Sequence, residues 1–272
     1  MRGTPIAALA LVLAAACGNA DPAGAGDDAP AGPDAGPADA PPIVDRDQDG
    51  LDDAYELAIA ADYLPFVSLD PGDGCSRSGL LVRVRKHPAD PAMLLVIYDH
   101  LFEADCGLGG HVGDNEVFGV AIDPSKPAPA GILSIKTASH QNTLCERITE
   151  CSTCGGADGR PACDLAQGTP VVYASKDKHG QYATKAQCPL FGTCFDTCTL
   201  AGTAHRPPIA NAGEPGKPLI LNLTIDGFIT AANGWTEAAL MNVDPWGTED
   251  FGGAGNIAGD LEDPVFVTAP CR

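Results

Sequence analysis

Three short apolar runs lie close together in the sequence: GLLVRVR (79–85), MLLVIY (93–98) and EVFGVAID (116–123). Each run is shorter than a typical helix, is rich in β-branched or other large apolar residues and is bounded by Gly, Pro or polar residues, which is typical of strands. Four further runs share this character: GILSIKT (131–137), PVVYA (170–174), PLILNLTI (218–225) and PVFVT (264–268). Seven or more strands with Gly- and Pro-rich connections predict an all-β fold, an antiparallel β-sandwich of two packed sheets.

Helical periodicity is confined to two segments. Residues Asp53 to Tyr63 predict a helix, and Thr236 to Asn242 predict a weaker one. We therefore expect the sandwich domain over residues 64–272, preceded by a short segment with one helix over residues 43–63. The order of the strands within the sheets does not follow from the sequence.

The first 16 residues have the layout of a secretory signal peptide. Arg2 precedes a twelve-residue apolar run, PIAALALVLAAA (5–16), which is too short to span a bilayer. The run ends in AAAC, which resembles the box recognised by the lipoprotein signal peptidase, with Ala14 where Leu is usual. This resemblance implies a lipid on Cys17 and anchoring in the bacterial outer membrane or at the cell surface. Ordinary signal cleavage after Ala16, with Cys17 free or paired between chains, is the alternative.

Residues 18–42, which follow this cysteine, contain only Gly, Asn, Ala, Asp and Pro. Because the segment has no large apolar side chain to offset the entropy of ordering, we expect residues 17–42 to form a disordered tether. Such a tether would hold a folded domain clear of a membrane surface.

The chain contains eleven cysteines, an odd number for an exported protein. If Cys17 carries a lipid, the other ten can form five disulfides in an oxidising compartment. A four-cysteine zinc site between Cys145 and Cys163 is the alternative, since Cys151 and Cys154 have the spacing of a zinc knuckle. The ten cysteines expected in disulfides are Cys75, Cys106, Cys145, Cys151, Cys154, Cys163, Cys188, Cys194, Cys198 and Cys271.

The formal net charge is −20, from 36 acidic and 16 basic residues. This balance argues against a nucleic-acid partner, because binding to nucleic acid depends on Lys and Arg that neutralise phosphates. The acidic excess has two interpretations, solubility and cation binding. The positions of the acidic residues decide between them.

Residues 45–56, DRDQDGLDDAYE, place oxygen ligands at the spacing of a calcium loop, with Gly50 at the sharp turn. The loop resembles an EF-hand, but Pro41 and Pro42 forbid the usual entering helix. The sequence therefore predicts a solitary structural Ca²⁺ clamp, and a solvated acidic turn is the alternative. The predicted ligands are the carboxylates of Asp45, Asp47, Asp49, Asp53 (where a water can intervene) and Glu56, and the backbone carbonyl of Leu51.

A second candidate metal site lies in GGHVGDNE (109–116). If a turn at Gly113 precedes a strand, Asp114 and Glu116 project to the same face, and His111 can fold back over the turn. One imidazole with several carboxylates suits Mg²⁺, Mn²⁺ or Ca²⁺ better than structural zinc. A polar turn between two strands is the alternative.

YDHLFEAD (98–105) followed by GHVGDNE (110–116) resembles the metal-site region of the necrosis- and ethylene-inducing peptide-like proteins, a family of cytolysins. Members of that family have an aromatic-rich strand ending in Asp and then the heptapeptide G-H-R-H-D-W-E. The resemblance implies a β-sandwich that binds one divalent cation. By position, the implied ligands are Asp105, His111, Asp114 and Glu116.

Two later stretches resemble the wider superfamily, which includes bacterial vacuolar-sorting-related proteins: ILSIKTASH (132–140) and PVVYASKDKHGQY (170–182). The chain also departs from the heptapeptide, since Val112 replaces its Arg, Gly113 its second His and Asn115 its Trp. Because neighbouring groups orient and tune a metal site, the resemblance implies metal binding without implying the toxic activity.

Two functions follow as hypotheses. The first is a lipid-anchored binding protein whose metal holds a glycan or glycolipid head group, the kind of ligand that the cytolysins recognise. The second is a metal-assisted hydrolase of a polysaccharide, ester or phosphodiester, in which His140 or His179 moves protons; His179 is expected in an exposed loop. No G-x-S-x-G, H-E-x-x-H or phosphate-loop motif supports catalysis. Trp235 and Trp246 are expected in the core, with sugar stacking as the alternative.

Overall fold

The computed structural model describes residues 43–75, 78–188, 194–199, 203–219, 234–240 and 243–271. The helices are α1 (Asp53–Asp62) and α2 (Ile257–Glu262), with 3₁₀ turns at Lys185–Gln187, Ala238–Leu240 and Pro264–Phe266. The strands are β1 (Phe66–Leu69), β2 (Ser78–His87), β3 (Asp90–Ala104), β4 (Val112–Ile122), β5 (Ile132–Ser139), β6 (Arg147–Ser152), β7 (Leu165–Ala166), β8 (Thr169–Ala174), β9 (Gln181–Tyr182), β10 (Thr203–His205), β11 (Ile209–Asn211), β12 (Gly213–Glu214) and β13 (Lys217–Pro218).

The three runs between residues 79 and 123 form the centre of a six-stranded sheet, β11-β2-β3-β4-β5-β6. Strands β2 to β6 pair antiparallel in chain order, with Tyr98 opposite Phe118 in the β3–β4 pair. Side chains on both faces of this sheet are buried. Double burial explains why the 93–98 and 116–123 runs are almost continuously apolar, whereas the 79–85 run ends with Arg83 and Arg85 alternating with valines.

A five-stranded sheet, in the order β10-β1-β8-β7 with β9 also on β8, packs on one face of the six-stranded sheet. The main core lies between the two sheets, where Val67 and Val172 meet Val82, Val96 and Phe118. The predicted β-rich sandwich is confirmed. Pure antiparallel pairing is wrong, because β1 pairs parallel with β8 and β11 pairs parallel with β2.

The second face of the six-stranded sheet is covered by the C-terminal segment, which packs Trp235, Phe251 and Leu261 on Leu95 and Ile97. PVFVT, predicted as a strand, instead begins with the 3₁₀ turn Pro264–Phe266. Asp263 caps this turn by accepting a hydrogen bond from the Val265 N–H, and the following proline is suited to the first position of a helical turn. This short apolar run is therefore packed against the sheet without forming a strand.

The helix predicted from Asp53 is confirmed as α1. Asp52 caps it, since its carboxylate accepts hydrogen bonds from the Ala54 and Tyr55 N–H groups. The weaker predicted helix contains only the turn Ala238–Leu240, and residues 241 and 242 lie outside the described residues. α2 was not predicted. Of the predicted strand 218–225, only Pro218 and Leu219 are described.

Ten cysteines form five disulfides, as predicted: Cys75–Cys106, Cys145–Cys194, Cys151–Cys163, Cys154–Cys271 and Cys188–Cys198. The alternative zinc site is wrong, because its four cysteines are divided among three different bridges. Cys17 and the predicted signal peptide and tether lie outside the described residues. No helix in the described part of the chain combines the length and apolar character needed to cross a bilayer.

Candidate functional site: two acidic cation sites

The predicted calcium loop folds as a tight turn in front of α1. Gly50 adopts φ +88°, and its N–H donates to Asp45 Oδ2 at 3.1 Å. The Leu51 N–H donates to Asp49 Oδ1 at 2.7 Å. These backbone hydrogen bonds turn the acidic side chains toward one another, as a cation loop requires.

Carboxylate oxygens in this loop are buried without hydrogen-bond partners among the described residues. They are Asp45 Oδ1, both oxygens of Asp47, Asp49 Oδ2 and Glu56 Oε1. Ligand oxygens of Asp47, Asp49 and Glu56 lie within 4.8 Å of one another, and so do those of Asp45, Asp47 and Asp53. Burial, followed by the charge of the neighbouring carboxylates, raises the pKa of Glu56 to about 9 and that of Asp47 to about 6. A group of unpaired oxygens at this spacing fits Ca²⁺.

Two loop carboxylates also have protein partners. Asp53 accepts from the Arg46 backbone N–H at 3.0 Å and from Arg46 Nε at 2.6 Å. Glu56 Oε2 accepts from Asn211 Nδ2 of β11 at 3.2 Å, which leaves Oε1 for a cation. Asn211 therefore links the last ligand position of the loop to the edge of the six-stranded sheet.

The second predicted site is formed where β3 ends and β4 begins. Asp105 and His111 exchange backbone hydrogen bonds of 3.0 and 3.1 Å, which close the loop between them. Gly113 lies inside β4 with φ +75°, and a Cβ there would meet the Phe251 carbonyl oxygen at 2.4 Å. A Cβ on Gly253 would meet the His111 ring at 2.5 Å. Close contact with the 251–253 backbone thus explains glycine at position 113.

All four predicted ligands, Asp105, His111, Asp114 and Glu116, line one cavity of about 270 Å³. Asp114 and Glu116 are buried and face the five-stranded sheet, as the two-residue period of a strand predicts. Two further cavity-lining residues that could act on a ligand are His140 and Asp260. The sequence-predicted ligands and one of the two candidate catalytic histidines therefore share a single cavity.

His179 is fully buried, so its predicted exposure is wrong. Its Nδ1 lies 2.7 Å from Asp114 Oδ2, its Nε2 lies 3.1 Å from Asp73 Oδ2, and its ring stacks on Phe102 at 3.7 Å. Burial alone would lower the pKa of His179, but the hydrogen bonds and charges of Asp114 and Asp73 outweigh burial and raise it to about 9. Both contacts favour the imidazolium form of His179, which places positive charge behind Asp114 on the cavity wall.

His140 is held by a different carboxylate. Its Nε2 lies 2.6 Å from Asp196 Oδ2, and Tyr182 donates its hydroxyl proton to the same oxygen. Asp196 is fully buried, whereas His140 lies on the cavity wall. The Cys145–Cys194 disulfide joins the two loops that carry this histidine and this aspartate.

The fit of this cavity to a divalent cation rests on its donor set. His111 Nδ1 lies 2.7 Å from the Gly113 carbonyl oxygen, the partner that commonly orients a metal-binding imidazole and leaves Nε2 for the metal. Among the described residues, the four predicted ligands are not one of the groups whose ligand atoms lie within 4.8 Å of one another. Mg²⁺ retains several of its own waters, so ligands at this wider spacing can hold it through water. A third such group, Asp73, Cys75 and His179, offers no thiolate because Cys75 is in a disulfide.

Several buried or half-buried polar residues of this region were not predicted from the sequence: Asp73, Asp99, His100, Gln181, Asp196 and Asp260. They come from five separate segments, and no short motif connects them. Trp235 is buried in the core, as expected, and Trp246 packs against that core while donating to the Ala212 carbonyl at 2.8 Å. Neither indole lines the cavity.

No family model matches the chain, and no curated protein matches it. Among solved structures, one described as "Toxin fold for microbial attack and plant defense" matches at 14% identity over 57% of this chain and 72% of that chain, with a TM-score of 0.34. NLPPya in complex with glucosamine matches at 15% identity over 62% and 77%, with a TM-score of 0.35. NLPPya in complex with mannosamine matches at 14% identity over 62% and 78%, with a TM-score of 0.36. The matched fold is that of the family which the sequence motifs resemble. At TM-scores below 0.5, these likenesses assign no function to this chain.

Proposed function

We propose that this chain is a binding protein in which a divalent cation, held by Asp105, His111, Asp114 and Glu116, contacts a hydroxyl-rich ligand such as a glycan or glycolipid head group. Mg²⁺, Mn²⁺ and Ca²⁺ all suit this donor set. When bound, the cation would supply positive charge and open coordination positions for ligand hydroxyls. Asp105 and His111 lie at the more exposed part of the wall, where a head group can approach.

The observation that carries this proposal is the unbalanced charge of the cavity. Asp105, Asp114, Glu116 and Asp260 line it, and Lys178 is the one Lys or Arg among its described lining residues. Burial, followed by the charges of Asp114, Asp196 and Asp260, raises the pKa of Glu116 well above its usual range. His179 pairs with Asp114, but the other carboxylates still outnumber the one lysine. Buried carboxylates without full counter-charge are costly, and a divalent cation would remove that cost.

The loop at residues 45–56 has a separate proposed role as a structural Ca²⁺ clamp. The support is its set of buried, unpaired carboxylate oxygens together with the Glu56–Asn211 hydrogen bond to the sheet. Bound Ca²⁺ would hold α1 against the edge of the six-stranded sheet.

Export and lipidation at Cys17 remain part of the proposal on sequence grounds alone, with the folded domain tethered to the outer membrane or cell surface. Labelled palmitate that fails to attach to the wild-type chain, or attaches equally to Cys17→Ser, would contradict the anchor.

A metal-assisted hydrolase is the second candidate, favoured by the His140–Asp196 pair beside the same cavity. Asp196 fixes the imidazole, so the ring is positioned to accept a proton from a water in the cavity. His179 is a weaker candidate, because both of its ring nitrogens already contact carboxylates.

One experiment tests the metal and both candidate activities. The full-length chain is stripped with a chelator and reloaded with Mg²⁺, Mn²⁺ or Ca²⁺, and its metal content and glucosamine binding are measured. We expect Asp105→Asn and His111→Ala to lose one metal equivalent and the glycan binding that depends on it, and exposed Asp62→Asn to lose neither. Unchanged metal content in both site variants would refute the proposed site. Cleavage of a polysaccharide, ester or phosphodiester by the wild type but not by His140→Ala would favour the hydrolase.

A further inference from the structure

Asp99 lies in the middle of β3, on the face of the six-stranded sheet that the C-terminal segment covers. Its side chain is fully buried, no cationic group pairs with it among the described residues, and the Asn115 amide is the one neighbour that favours its ionised form. A buried carboxylate without a counter-charge is strongly destabilising. Some group or ion must therefore compensate Asp99.

Two oxygen-bearing side chains lie on the same side of the sheet. Asn115 of β4 pairs with Leu101, two residues along β3 from Asp99, and its Oδ1 is also buried without a partner. Asn115 Nδ2 donates to Asp260 Oδ2 of α2 at 2.5 Å. Strands β3 and β4 and helix α2, which packs on both, thus bring Asp99, Asn115 and Asp260 together.

The charges near Asp99 are of the same sign. Burial first, and then the negative charges of Asp260 and Asp114, raise the pKa of Asp99 well above its usual range, and only contact with Asn115 lowers it. Arg83, a buried cation on the neighbouring strand, is already paired with Glu214 at 2.5 Å. Nearby protein groups therefore do not balance the Asp99 charge.

We propose that Asp99, Asn115 and Asp260 form a second buried cation site, which we call the outer-face site, and that it binds Ca²⁺. The donors are all oxygens, two from carboxylates and one from an amide, and Ca²⁺ accepts such mixed sets readily. Asn115 and Asp260 also line the 270 Å³ cavity, which gives the ion a path to the buried carboxylate.

The outer-face site is separate from the site at Asp105, His111, Asp114 and Glu116. Successive residues of a strand point to opposite faces, so Asn115 faces α2 while Asp114 and Glu116 face the five-stranded sheet. The two sites share the cavity but no ligand. The rival explanation for Asp99 is a proton shared with Asp260, as in other close carboxyl pairs.

Equilibrium dialysis of the metal-stripped, full-length chain against ⁴⁵Ca²⁺ distinguishes these explanations. We expect Asp99→Asn to bind one Ca²⁺ fewer than wild type and Asp260→Asn to bind that Ca²⁺ at least about 10-fold more weakly. His111→Ala and Asp47→Asn should each remove a different Ca²⁺ equivalent. Combining either change with Asp99→Asn should therefore remove two equivalents. Asp62→Asn is the control and keeps the full number.

A full Ca²⁺ count with unchanged affinity in folded Asp99→Asn or Asp260→Asn would overturn the outer-face site and favour the shared proton. If Asp99→Asn does not fold, Asp260→Asn decides, because that residue is only partly buried on a surface helix. If the proposed site at His111 binds no cation, His111→Ala will lose no Ca²⁺, but Asp99→Asn should still lose one. The two proposals can therefore fail independently.

Discussion

The predicted calcium loop and the cavity lined by His111, Asp114 and Asp260 are both acidic, but their charges are balanced in different ways. In the loop, Asp47 and Glu56 are buried and carry carboxylate oxygens that have no hydrogen-bond partner among the described residues, while Arg46 pairs with Asp53. In the cavity, Asp114 is already paired with buried His179, which Asp73 holds from the other side. If both bind cations as proposed, the loop would therefore depend on an external cation, whereas the cavity carries part of its own counter-charge.

This difference would make the ion of the loop structural and the ion of the cavity exchangeable. A loop in which buried Asp47 and Glu56 have no cationic partner among the described residues should lose stability when its cation leaves. A cavity that retains an imidazolium can release its cation and remain folded, which a ligand-binding site requires. Substituting His179, the internal cation of the cavity, should remove this difference between the loop and the cavity. Removing each external metal ion in turn should make the difference measurable.

The largest effect is expected from His179→Gln. This change leaves Asp73 and Asp114 buried without their shared positive charge, which should lower the free energy of unfolding by roughly 3–5 kcal/mol. Added Mg²⁺ or Ca²⁺ should then stabilise the variant more than it stabilises wild type, because the ion replaces the missing charge beside Asp114. Urea unfolding with and without each cation measures both quantities.

The matched control is His87→Gln, since His87 is also buried but lies 2.8 Å from the Thr268 carbonyl oxygen and pairs with no carboxylate. His87→Gln should lower the free energy of unfolding less than His179→Gln does. Added Mg²⁺ or Ca²⁺ should stabilise this control variant no more than it stabilises wild type. Equal cation dependence in the two variants would mean that His179 does not balance the cavity charge.

The next effect in size concerns the loop. Removing Ca²⁺ from wild type should lower the stability by about 3 kcal/mol at a Ca²⁺ concentration near 100 times Kd, which corresponds to a fall in Tm of roughly 6–12 °C. Glu56→Gln should remove the part of this response that the loop contributes, because it removes the carboxylate that closes the loop. Calorimetry with Ca²⁺ and with chelator, alongside Asp62→Asn, measures the fall in Tm for each chain. A chelator response of wild-type size in Glu56→Gln would assign the stabilising ion to another site.

The same contrast explains how much of the molecule could be predicted from sequence. The loop ligands lie within twelve residues, so spacing alone identifies them, and α1 follows from its Asp52 cap. β2, β3 and β4 were predictable because strands buried on both faces are continuously apolar. PVFVT has equally apolar residues, yet the Asp263–Pro264 pair starts a 3₁₀ turn there, and a pattern of apolar residues does not distinguish these outcomes.

The cavity could be predicted only in part. Asp105 and residues 111–116 lie together in sequence, but Asp73, His179, Asp196 and Asp260 come to the site through the sheet packing and α2. His179 lies in the polar stretch SKDKHG, which favoured an exposed loop, and only contacts with distant Asp73 and Asp114 bury it. Charge pairing between segments far apart in sequence leaves no local signal.

A smaller effect is expected at the cavity ion. His111→Ala should weaken Mg²⁺ or Mn²⁺ binding by about 10- to 100-fold, the usual loss for a group that positions or ligates a metal. Because His179 remains, the metal-free stability should change little. Isothermal titration for the metal and thermal melting for stability measure the two effects. A large loss of stability of His111→Ala without metal would contradict the view that the cavity carries part of its own counter-charge.

The smallest effect is an acid response that depends on neither cation. Burial lowers the pKa of His205 to about 4, and its Nε2 contacts Ser78 Oγ while its ring stacks on His100 at 5.3 Å. The unfolded chain protonates this histidine near pH 6.5, so the stability that it contributes is present above that pH and is lost as pH falls toward 4. His205→Gln should therefore reduce the loss of stability between pH 7 and pH 5.5 by about 1 kcal/mol. The measurement is made in chelator, where all the proposed cation sites are empty. An unchanged pH slope in His205→Gln would assign the acid response to His100, whose pKa burial also lowers.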